Sequence, residues 1–296
     1  MRTSLLASLG LSLVAPLALA QAPPLLAHWQ FDETAGVVAS DSSANANNGQ
    51  LVGFAVTSWV AGQFGNALSF DGSSDYVLIP SNPVVPVYDG LGTPFSISFW
   101  VKAPAQSDRR IYSEQQAAPS GGGPLFTLGS GSGSDTDKLR VYIRGDTGTL
   151  TPTTATSLGV VFDDSWHHVV YTDHAGRSKI YIDGVLDNAV DYSHWTFGPL
   201  SSLRTTFSLD SVTIGAVVRN AAIAAPLLGL IDDVRVYRSV LDDIDVQLLF
   251  TDVDPPVIVN SIASYGYGCG AGPLDLAISG SAASGATVYS QLFGGE

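Results

Sequence analysis

The sequence predicts an all-β fold, an antiparallel sandwich with one short helix near its C-terminal end. Short apolar-polar alternations, separated by glycine-rich and polar turns, recur from residue 25 to residue 237. The clearest covers residues 95–102, where alternate side chains beginning with Phe95 are apolar and share one face. Only residues 242–250 have a helical pattern, and many short strands without long helices are typical of a sandwich or barrel.

The predicted strands follow one another with little between them except turns. They cover residues 25–31, 49–56, 66–70, 76–79, 95–102, 110–114, 125–128, 139–144, 166–172, 179–182, 185–188, 211–215 and 229–237. Asp183-Gly184 predicts a tight hairpin turn, because glycine accepts a positive φ and aspartate tolerates it. Asp242 is expected to cap the helix, and Asp245 lies in its first turn, where the helix dipole favours negative charge.

The N-terminal segment, residues 1–20, has the pattern of a secretory signal peptide. Arg2 precedes an apolar run over residues 5–19, and Ala18-Leu19-Ala20 supplies small residues for cleavage. The alternative is a membrane anchor, but the run is short for a span and contains Pro16. We therefore expect a secreted protein, extracellular or at the cell surface, with no membrane span after cleavage.

The C-terminal part is predicted to lie outside the sandwich. Residues 251–258 read as a linker, because Pro255 and Pro256 stiffen the chain and resist both helix and sheet. Residues 259–296 are too few for a core of their own and suggest a partial β module or a tail. The single cysteine, Cys269, excludes an internal disulfide; it either links to another chain or is buried in this incomplete module.

The charge balance narrows the classes of partner. Net charge is −14, from 13 basic and 27 acidic residues, which argues against nucleic acids and anionic membrane surfaces. It is compatible with neutral sugars and with divalent cations.

Five blocks, at residues 27–33, 64–77, 95–102, 166–188 and 229–237, occur in the order found in one family. Together they resemble the laminin-G-like, concanavalin A-like lectin/glucanase domains of secreted bacterial proteins. The resemblance covers residues 25–250 and implies a jelly roll of two antiparallel sheets, with the first and last strands close together. In this family the pair His167-His168 belongs to the framework.

Asp232 is the first candidate for chemistry. Period-2 alternation places it on the same face as Val234 and Val236, so it is expected to point into the core, where a lone carboxylate needs a cation or several donors. The resemblance implies a structural Ca²⁺ where the two chain ends meet. Asp32, Asp41 and Asn48 offer the oxygen ligands that Ca²⁺ prefers, so these three with Asp232 are the predicted calcium site. The alternative is a hydrogen-bonded aspartate among solvated loop acids.

Catalysis is not indicated. After residue 20 the chain has only Glu33, Glu114 and Glu296 as glutamates, and no paired carboxylates at glycosidase spacing, no Gly-x-Ser-x-Gly elbow and no His-Glu-x-x-His motif. We therefore predict a non-catalytic binding module for carbohydrate or glycoconjugate, or for adhesion, with extracellular glycans or cell-surface proteins as partners. The alternatives are a structural or protein-interaction module of a larger extracellular protein and, third, a glycan hydrolase or lyase.

Sugar binding needs an aromatic plate beside hydrogen-bonding groups, since sugars present an apolar face and many hydroxyls. Trp195, in a polar loop, and Tyr112 are the aromatic candidates for the ligand site. Asp71 and Asp75 flank a short turn, where they either cap their own backbone or form a second ligand site on the loop edge.

Overall fold

The computed structural model of the protein describes residues 23–55, 58–80, 84–90, 92–118, 123–145, 148–192 and 209–251. The predicted signal peptide, the tail at 259–296, Trp195 and Cys269 lie outside these residues, and of the predicted linker only Thr251 is described. Among the described residues, no helix combines the length and the apolar character that a bilayer crossing requires.

The described part of the chain contains eighteen strands, one α-helix and one short 3-10 helix. In chain order the strands and the α-helix are β1 (Leu25–Trp29), β2 (Val38–Ala39), β3 (Gly49–Val52), β4 (Trp59–Ala61), β5 (Asn66–Asp71), β6 (Tyr76–Ile79), β7 (Phe95–Lys102), β8 (Arg110–Gln115), β9 (Leu125–Ser130), β10 (Leu139–Gly145), β11 (Gly148–Thr156), β12 (Trp166–His174), β13 (Arg177–Ile182), β14 (Val185–Asp191), β15 (Ser211–Ile214), β16 (Val217–Arg219), β17 (Ala222–Ala224), β18 (Leu228–Tyr237) and α1 (Asp243–Phe250). The 3-10 helix, Gly133–Asp135, lies between β9 and β10.

The strands form two eight-stranded antiparallel sheets, which confirms the predicted jelly-roll sandwich. The first sheet has the order β14-β13-β12-β7-β18-β5-β4, with β1 paired to β18. The second has the order β11-β10-β9-β8-β15-β6-β3-β2, and β16 and β17 form a separate hairpin. The pairing of β1 with β18 joins the first and last strands, as the family resemblance implies.

The core fills the space between the two sheets. Its side chains come from the alternate positions of each strand that the pleat turns inward, because successive side chains of a strand point to opposite faces. The largest fully buried side chains include Trp29, Phe31, Phe70, Phe99, Tyr112, Phe126 and Tyr171.

Strand β18 contains a β-bulge that overturns the predicted orientation of Asp232. The register opposes Asp232 to Trp100 and Arg235 to Ser98, so two residues of β18, Asp233 and Val234, stand against one residue of β7. Asp233 has a positive φ of 51°, as the first residue of such a bulge can have. The extra residue reverses the alternation: Val234 faces the core, whereas Asp232 lies beside Trp100 on the outer face of the first sheet.

Helix α1 covers part of that outer face. Asp242 and Asp245 form a capping box at its start, which confirms the predicted helix and its cap. The ring of Phe250, at its end, stacks on Trp100 with centroids 5.7 Å apart, and Phe64 meets Trp100 edge-on at 5.5 Å. Val246 and Leu249 belong to the small apolar cluster that holds the helix on the sheet.

Glycine is required at position 215 by two independent constraints. Gly215 has a φ of +88°, and an added Cβ would stand 2.1 Å from a ring carbon of Phe70. We expect Gly215→Ala to lower the free energy of unfolding by about 3 kcal/mol, from left-handed strain plus overpacking. Gly36→Ala is the control, since Gly36 has a φ of +96° but open space around it, and should cost about 1 kcal/mol. Equal losses in urea unfolding of the two variants would contradict the contact with Phe70.

Candidate functional site

Asp232 is a fully buried carboxylate with one oxygen satisfied and one not. Its Oδ2 accepts hydrogen bonds from the amides of Gln63 (2.8 Å) and Phe64 (3.0 Å), while Oδ1 has no partner among the described residues. Burial raises the pKa of Asp232 to about 7, with the nearby charges of Asp233 and Asp32 adding to it. An unpaired carboxylate oxygen in this position favours either a bound proton or a bound cation.

Asp32 lies beside the same loop, between β4 and β5. Its Oδ1 accepts a hydrogen bond from the amide of Asn66 at 2.8 Å. Two glycines allow the loop to approach both carboxylates: a Cβ would stand 1.9 Å from Asp32 Oδ1 at Gly65 and 2.6 Å from Asp232 Oδ2 at Gly62. We call Asp32 and Asp232 the acidic pair.

The other two predicted calcium ligands organise a different loop. Asp41 accepts hydrogen bonds from the amides of His28 (2.8 Å), Ser43 (2.8 Å) and Asn47 (2.7 Å). The side-chain oxygen of Asn48 accepts from the amide of Asp41 at 2.8 Å. Within the described ranges, no group of three or more His, Cys, Asp or Glu side chains is placed to hold a metal ion. The structure thus brings Asp32 and Asp232 to one loop and leaves the other two predicted ligands occupied elsewhere.

Asp71 and Asp75 form the turn that connects β5 and β6. Oδ1 of Asp71 accepts from the amides of Ser73 and Ser74, both at 2.8 Å, and from Asp75 at 3.2 Å. Burial acts against it, yet these amides hold the pKa of Asp71 below its usual value. Asp75 is buried and accepts from the amide of Asp71 at 3.1 Å. Both side chains therefore bind backbone amides of their own turn, as in the alternative to a second ligand site.

The prediction that Tyr112 contacts a ligand is wrong, because its side chain is buried in the core. It faces the core with no exposed area, because it lies opposite Leu128 and Ile214 on the inner face of the second sheet. Its hydroxyl donates to Glu114 Oε1 at 2.8 Å. Glu114 also accepts from the amide of Val87 at 2.9 Å, so this pair belongs to the interior.

The histidine pair lies in framework contacts. Nε2 of His168 is 2.9 Å from the hydroxyl of Ser98, and burial lowers the pKa of His168 to about 4. Nδ1 of His167 is 2.8 Å from a carboxylate oxygen of Asp183 in the β13–β14 hairpin turn. His168 is thus buried against Ser98, and His167 is bound to the hairpin turn, as expected of framework residues.

The outer face of the second sheet carries further candidate site residues, which the sequence analysis did not select. In β10, Val141 and Ile143 are buried in the core, so Arg140, Tyr142 and Arg144 point outward and are only partly buried. The guanidinium carbon of Arg140 is 5.3 Å from the centroid of the Tyr142 ring. The alternation in Arg140-Val141-Tyr142-Ile143-Arg144 is the sequence signal that could have found them, since residues 139–144 were predicted as a strand.

Hydroxyl side chains continue the row that starts at Tyr142. Tyr142 is opposite Thr127 in β9, Thr127 is opposite Ser113 in β8, and Ser113 is opposite Thr213 in β15. The last three are buried although they face outward, because the β16–β17 hairpin packs on β8. The hydroxyls of Thr127 and Ser113 have no partner among the described residues.

Two further arginines adjoin β10. Arg219, from the hairpin, donates to the carbonyl oxygens of Gly123 and Pro124, both at 3.1 Å, and Arg144 donates to the same Gly123 oxygen at 2.8 Å. Arg110 pairs with Asp108 at 2.9 Å. Nε of Arg110 and Nε of Arg219 are buried without a partner among the described residues.

We call Arg140, Tyr142 and Arg144, with Arg110 and Arg219 beside them, the Tyr142 face. It offers one partly exposed aromatic ring with guanidinium donors on both sides of it. Aromatic rings cover apolar patches of a ligand, and arginine supplies several hydrogen bonds in a fixed fork. The arrangement can therefore bind an extended polar ligand that has an apolar face.

Comparison with known proteins identifies relatives of this fold. The sequence model described as the concanavalin A-like lectin/glucanases superfamily matches residues 71–247. No curated protein matches the sequence.

Solved structures with a similar fold include several binding domains. Domain 4 of AbnA, a GH43 extracellular arabinanase from Geobacillus stearothermophilus, solved with arabinotriose, is 20% identical with a TM-score of 0.53 over 77% of this chain and 99% of that one. The binding domain of Paraclostridial Mosquitocidal Protein 1 is 15% identical, with a TM-score of 0.53 over 77% of this chain and 52% of that one.

The receptor binding domain of a botulinum neurotoxin C/D mosaic serotype is 14% identical, with a TM-score of 0.52 over 77% of this chain and 51% of that one. The chain thus spans the whole arabinanase domain but about half of each toxin binding domain. At these identities the likeness shows a shared fold.

Proposed function

Because the chain belongs to the concanavalin A-like lectin/glucanase superfamily, we propose that it is a non-catalytic carbohydrate-binding module whose glycan lies on the Tyr142 face. The observation that carries the proposal is the partly exposed ring of Tyr142 on the outer face of the second sheet, flanked along its own strand by Arg140 and Arg144. A sugar ring can stack on the tyrosine while its hydroxyls accept hydrogen bonds from the arginines.

The similar arabinanase domain supports this proposal, since it was solved with arabinotriose, an oligosaccharide. The buried glutamate supports the non-catalytic part. Glu114 accepts three hydrogen bonds from Val87, Tyr88 and Tyr112 and is sealed in the interior, away from the Tyr142 face. Glycoside hydrolysis needs two carboxyl groups across one sugar bond, whereas among the described residues Asp108 alone forms ion pairs with arginines of this face.

Calcium is proposed as a structural ion at the acidic pair. Oδ1 of Asp232 and the carboxylate of Asp32 would hold it, with backbone carbonyls or water completing a shell of six to eight oxygens. The unpartnered, buried Oδ1 of Asp232 is the observation that fits a cation. When bound, the ion would neutralise two neighbouring acids and tie β1 and the β4–β5 loop to β18. Secretion stays a prediction from residues 1–20.

A second candidate function, protein interaction, is favoured by one edge of the first sheet. Strand β14 is the terminal strand there, and Val185 (64% exposed) and Leu186 (46% exposed) lie on it. Leu158 (68% exposed) lies beside them, because its amide donates to Asp187. An apolar edge of this kind suits contact with another protein module.

Binding should depend on the tyrosine ring. We expect Tyr142→Ala to weaken binding to the best glycan of an array by at least about tenfold, as an aromatic contact and its cation–π partner are lost. Tyr76→Ala is the matched control: Tyr76 is also partly buried on the outer side of this sheet, but four strands and about 19 Å away.

Affinity electrophoresis in gels containing the polysaccharide would measure both variants. A Tyr142→Ala protein that binds as well as the Tyr76→Ala protein would contradict the location of the site. A protein that binds no glycan on the array would favour the interaction module.

A further inference from the structure

The Tyr142 face concentrates positive charge in an acidic protein. The chain has only 13 basic residues against 27 acidic ones, yet four arginines from three separate elements, β8, β10 and β16, lie in two pairs on either side of Tyr142. They are Arg110, Arg140, Arg144 and Arg219. A solvated surface with this composition would spread its few cations, so the cluster needs a physical reason.

Charge neutralisation within the protein is incomplete. Asp108 is the one carboxylate that forms ion pairs with the cluster among the described residues, at 2.9 Å from Arg110 and 3.7 Å from Arg140. No described ion pair involves Arg144 or Arg219; both donate to the same carbonyl oxygen, that of Gly123. Two cations converging on one neutral oxygen repel each other, and an anion between them would remove that cost.

The donors of the cluster are also incompletely used. Nε of Arg219 and Nε of Arg110 are buried and unpartnered among the described residues, although a guanidinium group normally places its N–H donors on acceptors. Burial and the charge of Arg144 lower the pKa of Arg219 to about 10. Arg110 is similarly shifted downward, by burial first, and the charge of Arg140 contributes. Arg110 has its counter-charge in Asp108, whereas Arg219 forms no ion pair among the described residues.

We propose that the Tyr142 face takes an anionic oligosaccharide, whose carboxylate or sulfate groups are bound by Arg144 and Arg219 while a sugar ring lies against Tyr142. This inference rests on the proposed function and adds the class of glycan. The planar guanidinium fork matches both carboxylate and sulfate oxygens, and such charge-assisted hydrogen bonds are stronger than neutral ones.

The overall charge of −14 gives the proposal a consequence for salt dependence. A polyanion is repelled by the rest of the protein and attracted only by this face, so binding must be local and short-ranged. Affinity should fall as NaCl is raised from about 50 to about 500 mM, where screening shortens the range of charge interactions to a few ångströms. A neutral glycan bound at the same face would show little change.

The test compares matched ligands by titration calorimetry on the full chain: polygalacturonate oligomers against their methyl esters, and dextran sulfate against dextran. We expect the charged ligand to bind at least tenfold more tightly than its neutral partner in one pair or in both. Which pair shows the difference indicates whether the face prefers carboxylate or sulfate groups. Arg144→Gln should lose that preference at least tenfold. Arg177→Gln, the same charge change on an exposed residue of the other sheet, should stay within twofold.

Each remaining outcome overturns the proposal in a recognisable way. Equal binding of charged and neutral members, lost in Tyr142→Ala, would contradict the anionic ligand but leave the carbohydrate-binding function standing. Charged-ligand binding that Arg144→Gln does not alter would contradict the assigned arginine. No binding of any of the four ligands or of an array would contradict both. If Arg144→Gln melts well below the parent, Arg219→Gln replaces it, since Arg219 is the other arginine assigned to the anion and donates to the same carbonyl oxygen of Gly123.

Discussion

The Asp232→Asn variant is expected to be more stable than the parent protein without calcium and less stable than the parent with calcium. In chelator at pH 8, the variant should melt higher than the parent, by about 2–8 °C, because it removes a buried negative charge and keeps an acceptor for the amides of Gln63 and Phe64. With calcium at about 100 times its Kd, the parent should gain about 2.7 kcal/mol and the variant nothing. Differential scanning fluorimetry in the four conditions measures this crossing.

The control for charge alone is Asp191→Asn, an exposed aspartate at the far edge of the first sheet. It should keep the calcium response of the parent, whereas Asp32→Asn should lose most of it. If parent and Asp232→Asn respond identically to calcium and chelator, the acidic pair is not a cation site, and Asp232 is held as a neutral acid.

Glu114→Ala is expected to cause the largest loss of stability among single substitutions of an acidic residue. Its carboxylate has no exposed area and accepts from the amides of Val87 and Tyr88 and the hydroxyl of Tyr112 at 2.8–2.9 Å. Removing this common acceptor in the interior should lower the free energy of unfolding by about 3–6 kcal/mol. Urea unfolding followed by tryptophan fluorescence measures it.

Glu114→Gln is the matched control, because one oxygen remains for Val87 and Tyr112, and it should lose clearly less. The effect also has a pH signature. Burial raises the pKa of Glu114, and its hydrogen bonds only partly offset this. The folded state therefore takes up a proton before the unfolded state as the pH falls, so the group stabilises more at lower pH. The gap between parent and Glu114→Ala should widen from pH 7 towards pH 5; a gap that narrows would contradict the buried position.

Most strands, the hairpin at Asp183-Gly184 and the helix could be predicted, because each depends on a pattern of residues close together in the sequence. Alternation gives the strands, Asp-Gly gives the turn, and Asp242 with Asp245 gives the cap. Strands β2, β4 and β11 and the β16–β17 hairpin were not predicted. The hairpin turn is Asn220-Ala221, both with positive φ, and lacks the glycine that usually signals such a turn.

The orientation of Asp232 shows why a candidate site is harder to predict than a fold. A single bulge at Asp233 shifts the alternation by one residue and moves Asp232 from the core face to the outer face. The sequence of the strand gives no sign of the bulge. A glycine would have indicated a positive φ, but the residue that adopts it here is Asp233. Asp41, Asn48, Asp71 and Asp75 accept hydrogen bonds from backbone amides of their own loops. Short polar side chains in loops often do so, and a sequence does not show which of them keep a carboxylate or amide oxygen without a partner.

Part of the Tyr142 face could have been predicted from the sequence. Arg140, Tyr142 and Arg144 share a face by alternation alone, once β10 is recognised. Arg110 and Arg219 could not be added, because their approach depends on strand order and on a hairpin that folds back over β8. Tertiary placement, rather than local pattern, makes the cluster.

The most direct test of the carbohydrate-binding proposal is a titration of the ¹⁵N-labelled protein with the best-bound oligosaccharide, followed by amide chemical shifts. The account predicts that the largest changes fall on β9, β10 and the β16–β17 hairpin, around Tyr142, and that β5 and β14 stay unchanged. Shifts centred on the acidic pair and the β4–β5 loop, or on β14, with β10 unaffected, would contradict it.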